Sequence, residues 1–210
     1  RRGETISPAD LDRIRKREDE LYLVAPPRQT RGGIAASSAA SSAFISRSRS
    51  TTNSRDTSDF VADCLELWWT NRRAAYPDVC RLLIDLDNGP EIGSSRTQFM
   101  KRLVEFSDRH QLTLELAYYP PYHSKYNLIE RCWGILENHW NGALLNTVQA
   151  ALAWARTMTW RGIAPLVHLL DRVYETGVRL TPRLFRPIAT RLQRSVTLPK
   201  RSLVIQPTPP

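Results

Sequence analysis

LLIDLDNGPE (82–91) decides how the rest of the chain is read. Leu82-Leu83-Ile84 continues to Leu86 with only Asp85 interrupting, an apolar run of strand length and too short for an ordinary helix. Asp87-Asn88-Gly89-Pro90 then halts it, because Asn and Gly tolerate left-handed backbone and Pro cannot continue a ladder. The segment predicts a buried strand ending in a turn. Asp87 falls at its carboxyl end, where open α/β sheets present their ligand groups.

Downstream, Phe99, Met100, Leu103, Val104 and Phe106 recur at helical spacing and predict an amphipathic helix ending near Arg109. Leu112, Leu114 and Leu116 alternate with Thr113, Glu115 and Ala117, the period of a half-buried strand, which Pro120-Pro121 ends. Ile129, Cys132, Trp133, Leu136 and Trp140 predict a helix beginning near Leu128. Upstream, Phe60, Val61, Cys64, Leu65 and Trp68 predict a helix from Ser58 to about Trp69. Further helices are expected at 147–159, 165–175 and 181–194, the last with Pro182 at its start and a break at Pro187. Strands separated by helices imply crossover connections and a parallel sheet, so the fold class is α/β. Before this body, Ser7-Pro8 suits the start of a short helix through Glu20, and Leu21–Val24 a strand that Pro26-Pro27 stops. Residues 35–58, rich in Ala, Ser and Arg, bury too little apolar surface to offset their ordering entropy and are expected to be linker or disordered.

The net charge of +9 is unevenly spread. Residues 1–55 hold eleven Lys/Arg against six Asp/Glu, residues 56–175 twelve against fifteen, and no acid follows Glu175 while seven bases do. A slightly acidic body with two basic flanks suits a polyanionic partner, although a basic tail also simply solubilises. Cys64, Cys80 and Cys132 match neither a disulfide framework nor a zinc spacing and fit a reducing compartment. No apolar run of membrane-spanning length and no charged-then-apolar leader is present, so the expected location is the cytoplasm, with no membrane partner. The first residue is Arg1 and the only methionines are Met100 and Met158, which suggests a piece cut from something longer.

Asp87 and Glu130 lie 43 residues apart, a distance that holds one helix and one strand and returns the chain to the same sheet edge. Carboxylate oxygens converging there suit Mg²⁺ or Mn²⁺, and two such ions roughly 4 Å apart assist in-line phosphoryl displacement. Bland readings exist for each residue. Asp87-Asn88-Gly89 is ordinary turn chemistry, and Asn127 with Glu130 three residues on matches a capping box.

LLIDLDNGPE (82–91), TQFMKRLVEF (97–106), AYYPPYHSKYNLIERCWGILENHWNG (117–142), MTW (158–160), YETGVRLT (174–181) and the preceding DTSDFVADCLELWW (56–69) together resemble the DDE catalytic domain of Rhodopirellula-type (ISAzo-like) transposases of bacterial insertion sequences. DNGPE alone is unspecific; joined to PPYHSKYNLIERCWG at this distance it is specific. The resemblance covers roughly 56–206. It implies an RNase H-like core, metal-dependent DNA cleavage and strand transfer with two Mg²⁺ or Mn²⁺ ions, and DNA (transposon ends and target) as partner. It also implies homo-oligomers in a synaptic complex. By motif, Asp87 corresponds to the second metal-binding aspartate and Glu130 to the glutamate of the triad. The first aspartate has no counterpart in the sequence: Asp19 precedes the strand at 21–24, and Asp56 and Asp59 fall at a helix start. The first strands of the core are expected to be missing and the chain to be truncated and largely inactive. An inactive nucleic-acid-binding remnant and an RNase H-like nuclease are the alternatives. The expected divisions are a basic segment at 1–57, a partial catalytic core at 58–178 and a basic helix and tail at 179–210.

Other residues are weighed beside these. Glu91 is either an aid to metal positioning or a helix-start charge; Asp85, on the same strand face as Asp87, is a weaker candidate partner. Glu137 stands on the face of Glu130 or in solvent. His123, Lys125 and Tyr126 form a polar loop suited to DNA phosphates and bases, or to a plain surface. Arg183, Arg186, Arg191 and Arg194 are candidates for sequence-independent contact with the DNA backbone. The six tryptophans are expected in the core.

Overall fold

The computed structural model describes residues 57–86, 89–119, 128–145, 147–159, 162, 164–170 and 172–209, and the backbone of four short strands before them. The side chains of Ala75 and of residues 128–133 lie outside that description.

The Thr57 hydroxyl accepts the amide N–H of Phe60 at 3.1 Å, satisfying one of the donors a helix start leaves open, and α1 runs from Ser58 to Arg72. A single 3-10 turn, Arg73–Ala75, follows. α2 spans Thr97–His110 and ends with Gln111 in the left-handed region (φ 52°). There the Leu112 amide bonds back to the Ser107 carbonyl at 3.1 Å, which turns the chain directly into the next strand. α3 is Leu128–His139, α4 Val148–Thr157 with Thr147 as its cap, and α5 Pro182–Ala189 with Thr181 as its cap.

The strands, in chain order, are β1 (Tyr22–Leu23), β2 (Pro27–Thr30), β3 (Gly33–Ala36), β4 (Ile45–Ser46), β5 (Arg81–Leu86), β6 (Thr113–Tyr118), β7 (Leu166–Val167), β8 (Leu169–Leu170), β9 (Leu192–Arg194) and β10 (Ser202–Ile205). The main sheet has the order β5-β6-β10-β9. β5 and β6 are parallel, joined by α2; β10 runs antiparallel to both β6 and β9. Register places Leu82, Ile84 and Leu86 opposite Leu114, Leu116 and Tyr118, with Ile205 and Leu203 opposite Leu114 and Leu116. One face of the sheet is therefore continuously apolar. It is buried in a cluster with Phe99, Met100, Leu103 and Phe106 of α2 and Phe60, Cys64 and Trp69 of α1. The opposite face, carrying Leu83, Asp85, Glu115 and Val204, is half-buried to exposed, with Leu83 59% exposed.

Polar pairs set the register of α1 on α2. Asp59, Asp63 and Glu66 share one face of α1. Asp59 meets Gln98 and Arg102, Asp63 meets Arg102, and Glu66 meets Arg109 and His110, so the two helices run the same way.

The strand at 82–86, the strand at 113–118 and the helices near 58, 97, 128 and 148 stand where the periodicity puts them. Three expectations are corrected. The sheet is mixed rather than purely parallel, because the C-terminal segment expected as helix and tail returns as the β9–β10 hairpin with Leu203 and Ile205 buried. The helix expected at 181–194 stops at Ala189, two residues past Pro187, and Leu192 pairs with Ile205 instead. The described residues of 165–175 are not helical: β7 and β8 pair in parallel with β1 and β4. Beyond them, extended backbone directs Arg172 and Tyr174, two residues apart, to the same carboxylate of Asp63. Before the body, β2 and β3 form an antiparallel hairpin, and β4, within the stretch 35–58, makes its two-residue pairing.

Candidate metal centre and nucleic-acid interface

β5 and β6 end side by side. Leu86 is the register partner of Tyr118, and the Tyr119 amide donates to the Leu86 carbonyl at 2.8 Å. The residue after Leu86 is Asp87, and the chain leaving Tyr119 continues to α3, whose first turn carries Glu130. Asp87 itself, the Glu130 side chain, Asn127, and the loop residues His123, Lys125 and Tyr126 lie outside the described residues. Two parallel strands thus end side by side, one of them directly before Asp87.

The surroundings of that edge are described. Burial pushes the Asp85 carboxyl above the ordinary carboxylate range. Burial, then the nearby charge of Asp85, raises the Tyr119 phenol. Glu91 is neither a free turn charge nor aimed at an open site. Arg96, 8% exposed, donates to both of its carboxylate oxygens, at 2.9 and 2.7 Å. The Ser58 hydroxyl donates to the Glu91 carbonyl at 2.7 Å. Glu137 is exposed. Trp69 is buried and Trp68 and Trp140 pack against the core as expected, whereas Trp154 is 40% exposed, its ring edge-on to His139.

The four C-terminal arginines divide into two pairs. Arg183 and Arg186 are exposed on α5, on either side of the exposed Leu184. Arg191 donates to Asp108 at 2.8 and 3.2 Å and to the Gln206 carbonyl at 2.5 Å. That pairing holds the Asp108 carboxyl below, and the Arg191 guanidinium above, their ordinary ranges. Arg194 donates to the Pro199 carbonyl at 2.9 Å and to the Ser94 carbonyl at 2.6 Å. All four are expected on DNA from the sequence; Arg191 and Arg194 also hold the C-terminal hairpin in place. Sequence reasoning passed over Arg96 and Arg102, although the one-faced spacing of Asp59, Asp63 and Glu66 was a visible sign that cations face α1.

Oxygen-only donors such as Asp87 and Glu130 fit a hard divalent ion. Among the described residues, no group of three or more His, Cys, Asp or Glu side chains converges to hold one. Among the same residues, no helix is long and apolar enough to cross a membrane. No curated protein and no solved structure matches the chain. The family model described as the Rhodopirellula transposase DDE domain matches residues 45–207, a span that holds α1 to α5, the four-stranded sheet, Asp87 and Glu130. By that match over most of its length, this chain belongs to the Rhodopirellula transposase DDE domain family.

Proposed function

We propose that the chain is a fragment of the catalytic core, with an RNase H-like sheet, of a transposase that cuts and joins DNA through divalent-metal-assisted attack on a phosphodiester. Asp87 and Glu130 are two of its carboxylate ligands. The observation that carries this reading is the shared edge: β5 and β6 are parallel, Leu86 and Tyr118 are paired, and the segments bearing the two acids leave from that point. A Mg²⁺ or Mn²⁺ pair held there would activate the attacking oxygen and neutralise charge on the leaving oxygen. The chain's own residues do the rest. Asp87 and Glu130 hold the ions, and His123, Lys125 and Tyr126 meet the phosphates and bases beside the scissile bond. Arg183 and Arg186, exposed and without an acidic residue after Glu175 to compensate them, contact the DNA backbone. Transposon ends and target DNA are the substrates, and a homo-oligomer assembles them.

A second reading, a DNA-binding chain with little turnover, is favoured by one observation: upstream of Ser58 no aspartate stands in a family-like motif at a strand end. Two measurements test these readings: activity of the parent enzyme tests the ligand assignment, and DNA binding by the 210-residue chain tests the second reading. Strand cleavage and joining of transposon-end DNA with Mg²⁺ is measured for the parent enzyme, and for Asp87→Ala and Glu130→Ala in it. The first reading expects both variants to be inactive, and unaltered activity in either refutes the assignment. DNA binding by the 210-residue chain is measured against salt. Arg183→Ala and Arg186→Ala should each lower the slope of log K against log salt by about 1. A slope that neither variant changes removes α5 from the interface.

A further inference from the structure

Residues 89–96, between β5 and α2, have no regular secondary structure, yet Ile92, Ser94 and Arg96 are buried. Irregular segments usually run over the surface, because their backbone polar groups need partners. Here the partners come from four directions. Ser58, at the start of α1, donates to the Glu91 carbonyl at 2.7 Å. Arg96, just before α2, grips the Glu91 carboxylate. The Tyr118 hydroxyl, at the end of β6, donates to the Ile92 carbonyl at 2.9 Å within the protein interior. Arg194, in β9, reaches the Ser94 carbonyl at 2.6 Å while its other terminal nitrogen holds the Pro199 carbonyl in the turn of its own hairpin. A guanidinium is planar and rigid, so those two carbonyls, far apart in sequence, share one fixed plane.

We propose that Arg194 is a positioning residue. Through it the C-terminal hairpin clamps residues 89–96 and so sets the metal affinity that the proposed function assigns to Asp87. The consequence for chemistry rests on the assignment of Asp87 to a metal centre; the clamp itself does not. A site whose supporting groups are loose by an ångström loses its geometry even when every ligand is present.

Hydrogen exchange by mass spectrometry on the 210-residue chain, with Mn²⁺ titration followed by electron paramagnetic resonance, tests this. The amides of Ile92 and Arg96, bonded to the Gly89 and Gly93 carbonyls, are the reporters. Arg194→Ala should speed exchange in peptides covering 89–96 by about tenfold or more, the loss expected of one charge-assisted bond. Arg194→Lys, which still has a donor for one carbonyl, should recover part of the protection. Arg191→Ala loosens the same hairpin at Asp108 and Gln206 without touching the loop, and should leave exchange at 89–96 unchanged. Should Arg194→Ala fail to fold, Tyr118→Phe removes an independent tether at Ile92 and should speed the same peptides. Loop-specific exchange together with weaker Mn²⁺ binding in Arg194→Ala and none in Asp87→Asn supports the proposal in full. Equal effects of Arg194→Ala and Arg191→Ala, or no effect of either, overturn the clamp. Loop-specific exchange with no Mn²⁺ bound by the unaltered chain retains the clamp and overturns the metal assignment of Asp87.

Discussion

Replacing Arg102 by alanine removes the guanidinium that two carboxylates of α1 share. Its terminal nitrogens stand 2.7 Å from Asp59 and 2.5 Å from Asp63. Burial disfavours the charge on Arg102, but its bonds to Asp63 and Asp59 more than offset this and raise its pKa above the ordinary value. Removing one partner of a fully buried ion pair costs about 3–5 kcal/mol, and of an exposed pair about 0–1 kcal/mol. Arg102 and both acids keep about a fifth of their side-chain surface exposed. Asp59 would also retain Gln98, and Asp63 would retain Arg172 and Tyr174. The expected loss therefore lies between the limits, at about 2–3 kcal/mol. For a domain of this size that corresponds to a fall in Tm of roughly 4–12 °C. Urea and thermal unfolding followed by circular dichroism would measure it. Arg109→Ala is the control: Arg109 is 57% exposed and pairs with Glu66, so its loss should cost less than about 1 kcal/mol. Arg102→Met combined with Asp59→Asn and Asp63→Asn should recover most of the stability, because neither partly buried carboxylate is left uncompensated and Arg172, which loses Asp63, is 64% exposed. If Arg102→Ala and Arg109→Ala destabilise equally, partial burial is not what gives the α1–α2 network its strength and the reasoning fails.

Two further outcomes follow from the C-terminal hairpin. The Asp108 pKa is depressed in the folded chain, chiefly by its hydrogen bond from Arg191, so its contribution is complete above the unfolded carboxylate pKa of about 4 and is lost as pH falls through the lower folded value. Exchange protection around residues 191–208 should fall on acidification through that window, and Arg191→Ala should flatten the dependence; an unchanged acid limb would refute the link. Leu203→Ala removes a buried side chain from the centre of β10 and should cost about 2–5 kcal/mol in urea unfolding. A loss below about 0.5 kcal/mol, typical of surface substitutions, would mean that the hairpin is not part of the core.

The elements legible in the sequence are those whose own side chains record which face is buried. Leu112, Leu114 and Leu116 alternate with polar neighbours, and Phe99, Met100, Leu103 and Phe106 recur at three and four residues; each pattern has one structural solution. Residues 165–175 misled because Leu166, Leu169, Leu170 and Val173 also recur at helical spacing, while the backbone partners that draw them into extended pairing lie more than a hundred residues upstream. β10 was hidden differently. Its four residues sit in a strongly basic tail, and only Leu203 and Ile205, two apart and bracketed by Pro199 and Pro207, hinted at a strand. At the candidate site, the motifs placed Asp87 after a strand and Glu130 in a first helical turn, and the described backbone agrees up to Leu86 and from Leu128 onward. The role of Glu91 was beyond reach, since a glutamate in a turn has the same spelling whether or not an arginine meets it.

Local order and family membership are written in the sequence, because periodic burial and motif spacing are properties of short segments. Partnership was decided only in three dimensions: Arg102 between two aspartates, Arg191 on Asp108, Arg194 on the loop after Asp87, and β10 along β6. A charge or a strand edge carries no record of its distant complement, and loop closure across a hundred residues costs little more than across fifty, so nothing local constrains which complement it finds.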